Sequence, residues 1–226
     1  MLPLWDTQPH KRPPVVTVLL IAANLGVFGY EVVLALQGSR GAEAFLVEFA
    51  LVPQRLLGGW TDERQWLTVL TAMFLHGGVA HVVGNCWFLW IFGNNVEDRL
   101  GHFLFLLFYL ASGFGAAALQ VLFDPSSAVP MIGASGAISG VLGAYFILFP
   151  TAWVVALVPW IVPVLPVPAF VFLILWFAIQ ALNGVGSLLS GASGEGGVAW
   201  WAHAGGFAAG VALLLGARNL GWVRKK

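Results

Sequence analysis

The sequence predicts an all-α polytopic membrane protein, a bundle of six transmembrane helices. Hydrophobic residues make up 59% of the chain and charged ones only 9%, and no charged side chain occurs across 125–194. A water-soluble domain cannot be built on such a composition. A bilayer core about 30 Å thick needs roughly 20 apolar residues per helix, which turns the uncharged runs into six candidate spans.

Those spans are 14–36, 77–96, 103–123, 131–149, 168–189 and 198–217. The first apolar run has no small-residue cleavage site of the signal-peptide kind and is expected to stay as a mature helix. The connection 37–75 mixes charges with Trp60, Trp66 and several Leu, so it is expected to lie folded on the outer membrane surface. The segment around Pro159, Pro163, Pro166 and Pro168 lacks charge but cannot run as an unbroken helix, because each Pro removes a backbone donor. It is expected as an interfacial connection before the fifth span. Trp200 and Trp201 open the sixth span, as an interfacial aromatic belt would.

Short cytoplasmic loops collect Lys and Arg. Lys11, Arg12, Arg99, Arg218, Arg224, Lys225 and Lys226 fall on one side of a six-span arrangement. The other side carries Arg40, Arg55 and Arg64 against Glu43, Glu48, Asp62, Glu63, Asp124 and Glu195. Both termini are therefore expected in the cytoplasm, giving a short cytoplasmic tail at 1–13, a membrane domain at 14–217 and a short basic cytoplasmic tail at 218–226. The formal net charge is zero, and no basic cluster is dense enough for nucleic acid. Lipid and other membrane proteins are the expected partners. The lone Cys86 falls inside the second span, where it is expected to pack as a small apolar residue.

Polar side chains are costly in hydrocarbon, so intramembrane His and Asn are candidates for function. In the six-span arrangement His81, Ser135 and His203 each fall four or five residues after the outer end of their span. At 1.5 Å per residue that places all three roughly 6–8 Å below the outer boundary. Small residues line the same helices: Gly136, Gly140 and Gly143 in the fourth, Ala202, Gly206 and Gly210 in the sixth. Such rows let helices approach closely in lipid, and His203 shares a face with Gly206 and Gly210. The glycines alone fit an ordinary packing motif equally well.

A Ser hydroxyl becomes a usable nucleophile when a base takes its proton, and Ser135 with His203 is the minimum pair for acyl transfer. His81 and Asn85, at i and i+4 on one helix face, can donate to an oxyanion, as can the backbone N–H of Ser135. No Asp or Glu is expected at this depth in any span, so a dyad and not a triad is the expectation. Gly133, Ala134, Ser135, Gly136, Ala137 does not complete the G-x-S-x-G nucleophile elbow. His76, His81 and His203 could supply three imidazoles to a metal, but a spacing of five does not put His76 and His81 on one helical face, and no acidic residue follows as a base. No cofactor and no metal are expected. Ser112, Ser139, Gln120 and Gln180 are assigned to helix–helix hydrogen bonding, and His102 to a cytoplasmic loop.

The stretches HGGVAHVVGN from His76, NNVEDRLG from Asn94, GASGAISGVLGAYFILFP from Gly133 and AWWAHAGGFAAG from Ala199 resemble the rhomboid intramembrane proteases over essentially the whole chain. The resemblance implies a six-helix rhomboid bundle with Ser135 as nucleophile and His203 as general base. It implies His81 and Asn85 at the oxyanion hole, and His76, Gly133, Gly136 and Gly206 as structural residues near the site. Glu97 and Arg99 look like the family's structural residues at the cytoplasmic end. The implied substrates are transmembrane segments of single- or multi-span membrane proteins, entering near the fifth span and cut near the outer face, in a bacterial plasma membrane. A catalytically inactive relative that binds helices without cutting is the alternative. Two positions depart from the family pattern: no Arg follows Trp66 in Gln65, Trp66, Leu67, Thr68, and Ser139 stands where relatives place an aromatic ring against the catalytic His. How His203 is held is left open.

Overall fold

A computed structural model describes residues 2–158, 162–190 and 199–224. Pro159, Glu195, Lys225, Lys226 and the first residue of the expected sixth span lie outside the described residues. The chain runs as a short strand β1 (Leu2–Asp6), a long helix α1 (Val15–Gln37), and four short pieces: α2 (Ser39–Phe49), α3 (Pro53–Gly58), α4 (Glu63–Thr71) and a 3-10 turn (Ala72–Phe74). Then come α5 (Val79–Phe88), a π-helical turn (Leu89–Gly93), α6 (Asn94–Leu100), α7 (His102–Phe123) and α8 (Ser135–Leu148). A hairpin of β2 (Trp153–Val158) and β3 (Val162–Pro168) leads into α9 (Ala169–Ser190) and α10 (Trp200–Asn219).

Each of the six expected spans is helical, and among the described residues four helices are alone long and apolar enough to cross a bilayer: α1, α7, α9 and α10. The segment expected as the second span is α5 through α6, bent by 82° from the preceding Glu63–Phe74 helix. The fourth is short. At 1.5 Å per residue the 14 residues of α8 rise about 21 Å, roughly 9 Å less than a hydrocarbon core. A helix of that length does not by itself cross the hydrocarbon core.

That helix is the centre of the bundle, since every residue from Gly136 to Tyr145 is buried. Its glycines explain why. A Cβ on Gly136 would lie 2.7 Å from the Ala116 Cβ of α7, and one on Gly140 would collide with Ser112. On the other side, a Cβ on Gly206 or Gly210 of α10 would run into the carbonyl oxygen of Gly136 or Gly140. The two small-residue rows read from the sequence face each other.

Residues that pin helix ends set the rest. Two prolines precede α1 and give it no side-chain cap of its own. The buried Glu97 of α6 supplies one, accepting from the Val16 and Thr17 amides at 2.8 Å each and from the Thr17 hydroxyl at 2.7 Å. A carboxylate at a helix N-terminus satisfies orphan N–H groups and meets the positive end of the dipole. His102, placed in a loop by the sequence reading, is instead the first residue of α7, with Nδ1 2.6 Å from Glu97. At the same face Arg99 Nε donates to the Arg224 carbonyl at 2.7 Å, and the Arg224 amide donates back to Arg99 at 2.9 Å.

The long connection is folded into short helices and is tied by Arg55. Its guanidinium donates to the carbonyls of Val47 and Ala50, at 2.5 and 2.8 Å, while Trp66 Nε1 donates to the Trp60 carbonyl. A two-way backbone pairing of Leu51 with Met131 ties this connection to the stretch before α8.

The segment expected as a simple interfacial connection is a β-hairpin, and the opening tail adds a third strand in the order β1-β2-β3. Leu2 pairs with Leu157 and Asp6 with Val154, antiparallel. The Asp6 carboxylate accepts from Asn95 Nδ2 at 2.8 Å and from the Tyr145 hydroxyl, which clips the strand to α6 and α8.

Candidate active site

Ser135 is the first residue of α8, and Gly133 just before it has φ +115°, a conformation that glycine adopts without a Cβ penalty. The Gly133 amide donates to the Ala72 carbonyl at 2.8 Å, fixing the turn that delivers Ser135. On α10, His203 lies one turn before Gly206, where the helix touches α8 backbone to backbone. Close approach therefore sets the reach between the two side chains. His203 Nε2 is 2.8 Å from Ser135 Oγ.

The third helix is α5. A Cβ on Gly133 would lie 2.6 Å from Nε2 of His81 and 3.5 Å from Nδ2 of Asn85, so these two side chains converge on the backbone beside Ser135. Asn85 is buried, and its Nδ2 has no partner among the described residues. An unpaired buried donor is costly, and here it faces a space that an oxyanion could fill. The space is a cavity of about 970 Å³ whose lining includes His81, Asn85, Ser135, Gln180 and His203, with Phe88, Ile138, Leu142 and Trp176 as its apolar wall.

His76 sits behind His81, the two rings meeting edge to face at 5.1 Å between centroids. The His76 ring takes Nδ1 to the Phe74 carbonyl at 3.1 Å, and its amide donates to both carboxylate oxygens of Glu31, at 3.2 and 3.3 Å. Glu31 corrects the sequence reading. It is a buried carboxylate inside α1, near that helix's far end, so the statement that no Asp or Glu lies at this level of any span does not hold. It bonds the backbone of His76, and among the described residues no carboxylate is bonded to the His203 ring.

Two features answer what the sequence left open. Ser139 turns away from His203, its hydroxyl donating to the Ser135 carbonyl at 2.6 Å. The ring is met instead from α9: Gln180 Oε1 lies 2.7 Å from His203 Nδ1, and Trp176, one turn earlier, has its ring centroid 5.9 Å from the imidazole. Trp200 approaches edge-on at 6.2 Å. From the sequence Gln180 is assigned to helix–helix hydrogen bonding, because nothing in the sequence separates a glutamine that bonds a neighbouring helix from one that bonds a histidine. Among the described residues no three His, Cys, Asp or Glu gather as a metal site.

A hydroxyl with a base at hydrogen-bond distance, an unpaired amide donor beside it and an apolar cavity in front is an arrangement for acyl transfer. The comparisons with known proteins agree in kind. Residues 63–219 match the model of the Rhomboid domain. Over 131 residues the chain is 36% identical to Rhomboid protease GluP of Bacillus subtilis (strain 168), covering 58% of this chain and 24% of that protein. It is 36% identical over 151 residues to Rhomboid-like protein 11, chloroplastic, of Arabidopsis thaliana, covering 66% of this chain and 51% of the relative. Rhomboid protease AarA of Providencia stuartii is 29% identical over 142 residues, 57% of this chain and 48% of its own length. The matched stretches thus span about half or less of these relatives.

Proposed function

The chain belongs to the rhomboid family, an integral membrane protein with protease relatives, and from that premise we propose that it is an active intramembrane serine endopeptidase. The observation that carries the reading is the 2.8 Å contact between Ser135 Oγ and His203 Nε2, made across two helices whose glycines bring their backbones together.

Ser135 Oγ attacks the carbonyl carbon of a peptide bond in a substrate's transmembrane segment as His203 Nε2 takes the hydroxyl proton. The negative charge that develops on the carbonyl oxygen is met by His81, Asn85 and the Ser135 N–H. His203 then returns the proton to the leaving amine, and a water activated by the same imidazole hydrolyses the acyl-enzyme. A helical peptide bond is shielded by its own hydrogen bonds, so the segment must unwind first. The shortness of α8 supports a site recessed from the membrane face yet within reach of water. The substrates are membrane proteins cut near the outer face. The clustering of Lys and Arg with both termini supports a cytoplasmic orientation, and two bacterial relatives support a bacterial plasma membrane.

The test is cleavage of a single-span substrate in proteoliposomes, together with fluorophosphonate labelling of the serine. Ser135→Ala and His203→Ala should each lower cleavage by about 10⁴-fold or more with the fold retained. A well-folded wild type that neither cuts nor labels would replace this reading with that of an inactive helix-binding relative.

A further inference from the structure

A dyad histidine has to present the right nitrogen. A neutral imidazole carries one hydrogen and shares it between Nδ1 and Nε2 unless a partner decides. If Nε2 holds it, the ring cannot take the proton of Ser135. The ring contacts already described raise the question of what decides here.

On the serine-protease reading of the site, we propose that Gln180 is the positioning residue of this enzyme, selecting the tautomer of His203 and making the working unit Ser135–His203–Gln180. Gln180 Oε1 is 2.7 Å from Nδ1 while Nε2 is 2.8 Å from the Ser135 hydroxyl, so both ring nitrogens are engaged along one line of hydrogen bonds. An amide oxygen only accepts, so it fixes the hydrogen on Nδ1 and leaves the Nε2 lone pair for the serine proton. Gln180 is 9% exposed, and Trp176 one turn earlier on α9 stands against the same ring, so both the orientation and the plane of the imidazole are constrained from α9. Other polar groups near the site are engaged elsewhere: Glu31 bonds the His76 amide, and Ser139 the Ser135 carbonyl.

An amide suits this place better than the carboxylate of a soluble triad. A buried carboxylate at membrane depth carries a desolvation cost that the ring's single N–H does not offset. A neutral acceptor does the orienting without that cost, as the asparagine does in Cys-His-Asn proteases. Ser135 stands on α8, His203 on α10 and Gln180 on α9, so the three groups align only when all three helices are in place.

Two measurements test this independently. In the first, ¹⁵N-histidine NMR of the detergent-solubilised chain, with the His203 signal assigned from its loss in His203→Ala, should show the hydrogen on Nδ1. Gln180→Leu should move it towards Nε2. This readout needs no turnover, so it judges Gln180 even if the chain proves not to cut. In the second, Gln180→Leu should lower kcat by about 10- to 100-fold, a share of what general base catalysis supplies, with KM changed less than twofold. Gln180→Glu restores an acceptor and should recover most of kcat. Its added charge favours the imidazolium, so the acidic limb of the pH profile should move to higher pH. Among the described residues His81 of α5 is the titratable neighbour acting on the ring, and the same shift should therefore appear in a His81→Asn background. Wild-type His203 with its hydrogen on Nε2 would overturn the proposal. So would a folded Gln180→Leu that keeps the wild-type kcat and tautomer, and if that variant fails to fold, the wild-type spectrum and Gln180→Glu decide.

Discussion

At the scale of single residues, the site depends on atoms that are missing as much as on those present. Gly133 has a positive φ and leaves room for His81 and Asn85 beside its Cα. Gly133→Ala should therefore add about 1–3 kcal/mol of backbone strain and push the His81 ring off its place. With an oxyanion donor displaced, fluorophosphonate labelling of Ser135 should slow by about 100-fold. Labelling at the wild-type rate would show that His81 is not needed where it stands. Ser135, His203, His81 and Asn85 were legible in the sequence because a polar group in an apolar span has few bland explanations. Glu31 meets the same criterion but lies outside the cavity lining, its carboxylate bonded to the His76 amide. Gln180 reads as a packing residue, because its partner is set by how α9 rotates against α10, which no local pattern encodes.

Helices were legible where hydropathy runs unbroken, as in α1, α7 and α10, whose bounds fall within two residues of expectation. The bend from α4 into α5 and the π turn within 77–96 were not legible, because the hydropathy pattern does not mark either. The opening of α1 is a similar case, since its cap comes from Glu97 in another helix. The packing of α10 on α8 carries the clearest consequence for an element. Gly206→Ala would place a methyl against the Gly136 carbonyl oxygen, where backbone has to move. It should cost about 1–3 kcal/mol, read as a lower melting temperature in detergent, and should lower cleavage by separating His203 from Ser135. A melting temperature and cleavage rate equal to wild type would refute the close packing.

For the molecule as a whole, the unexpected part is the three-stranded sheet at the face carrying the termini. Tails and Pro-rich connections offer no hydropathy period, and pairing between residues 2–6 and 154–157 has no local signature. Burial pushes the Asp6 carboxyl up to about 6, against the donated hydrogen bond of Tyr145, while in a detached strand it returns to the ordinary aspartate range near 3.9. The sign follows from linkage. Docking is at full strength below the lower value, where both states are protonated, and it weakens as pH rises through about 6, where the docked carboxyl must ionise. Proteolytic nicking near the N-terminus, normalised to a free peptide of the same sequence, should rise from pH 5 to pH 7.5, and Asp6→Asn should flatten the change. Equal nicking at both pH values in the wild type would remove the titration argument. The sheet also orders events in time. Strand β1 has no partner until residues near 158 have been synthesised, so at roughly 5–20 residues per second the start of the chain waits about 8–30 s at the membrane before it can fold. A chaperone, or a second nascent copy offering the same hairpin, has that interval in which to capture it.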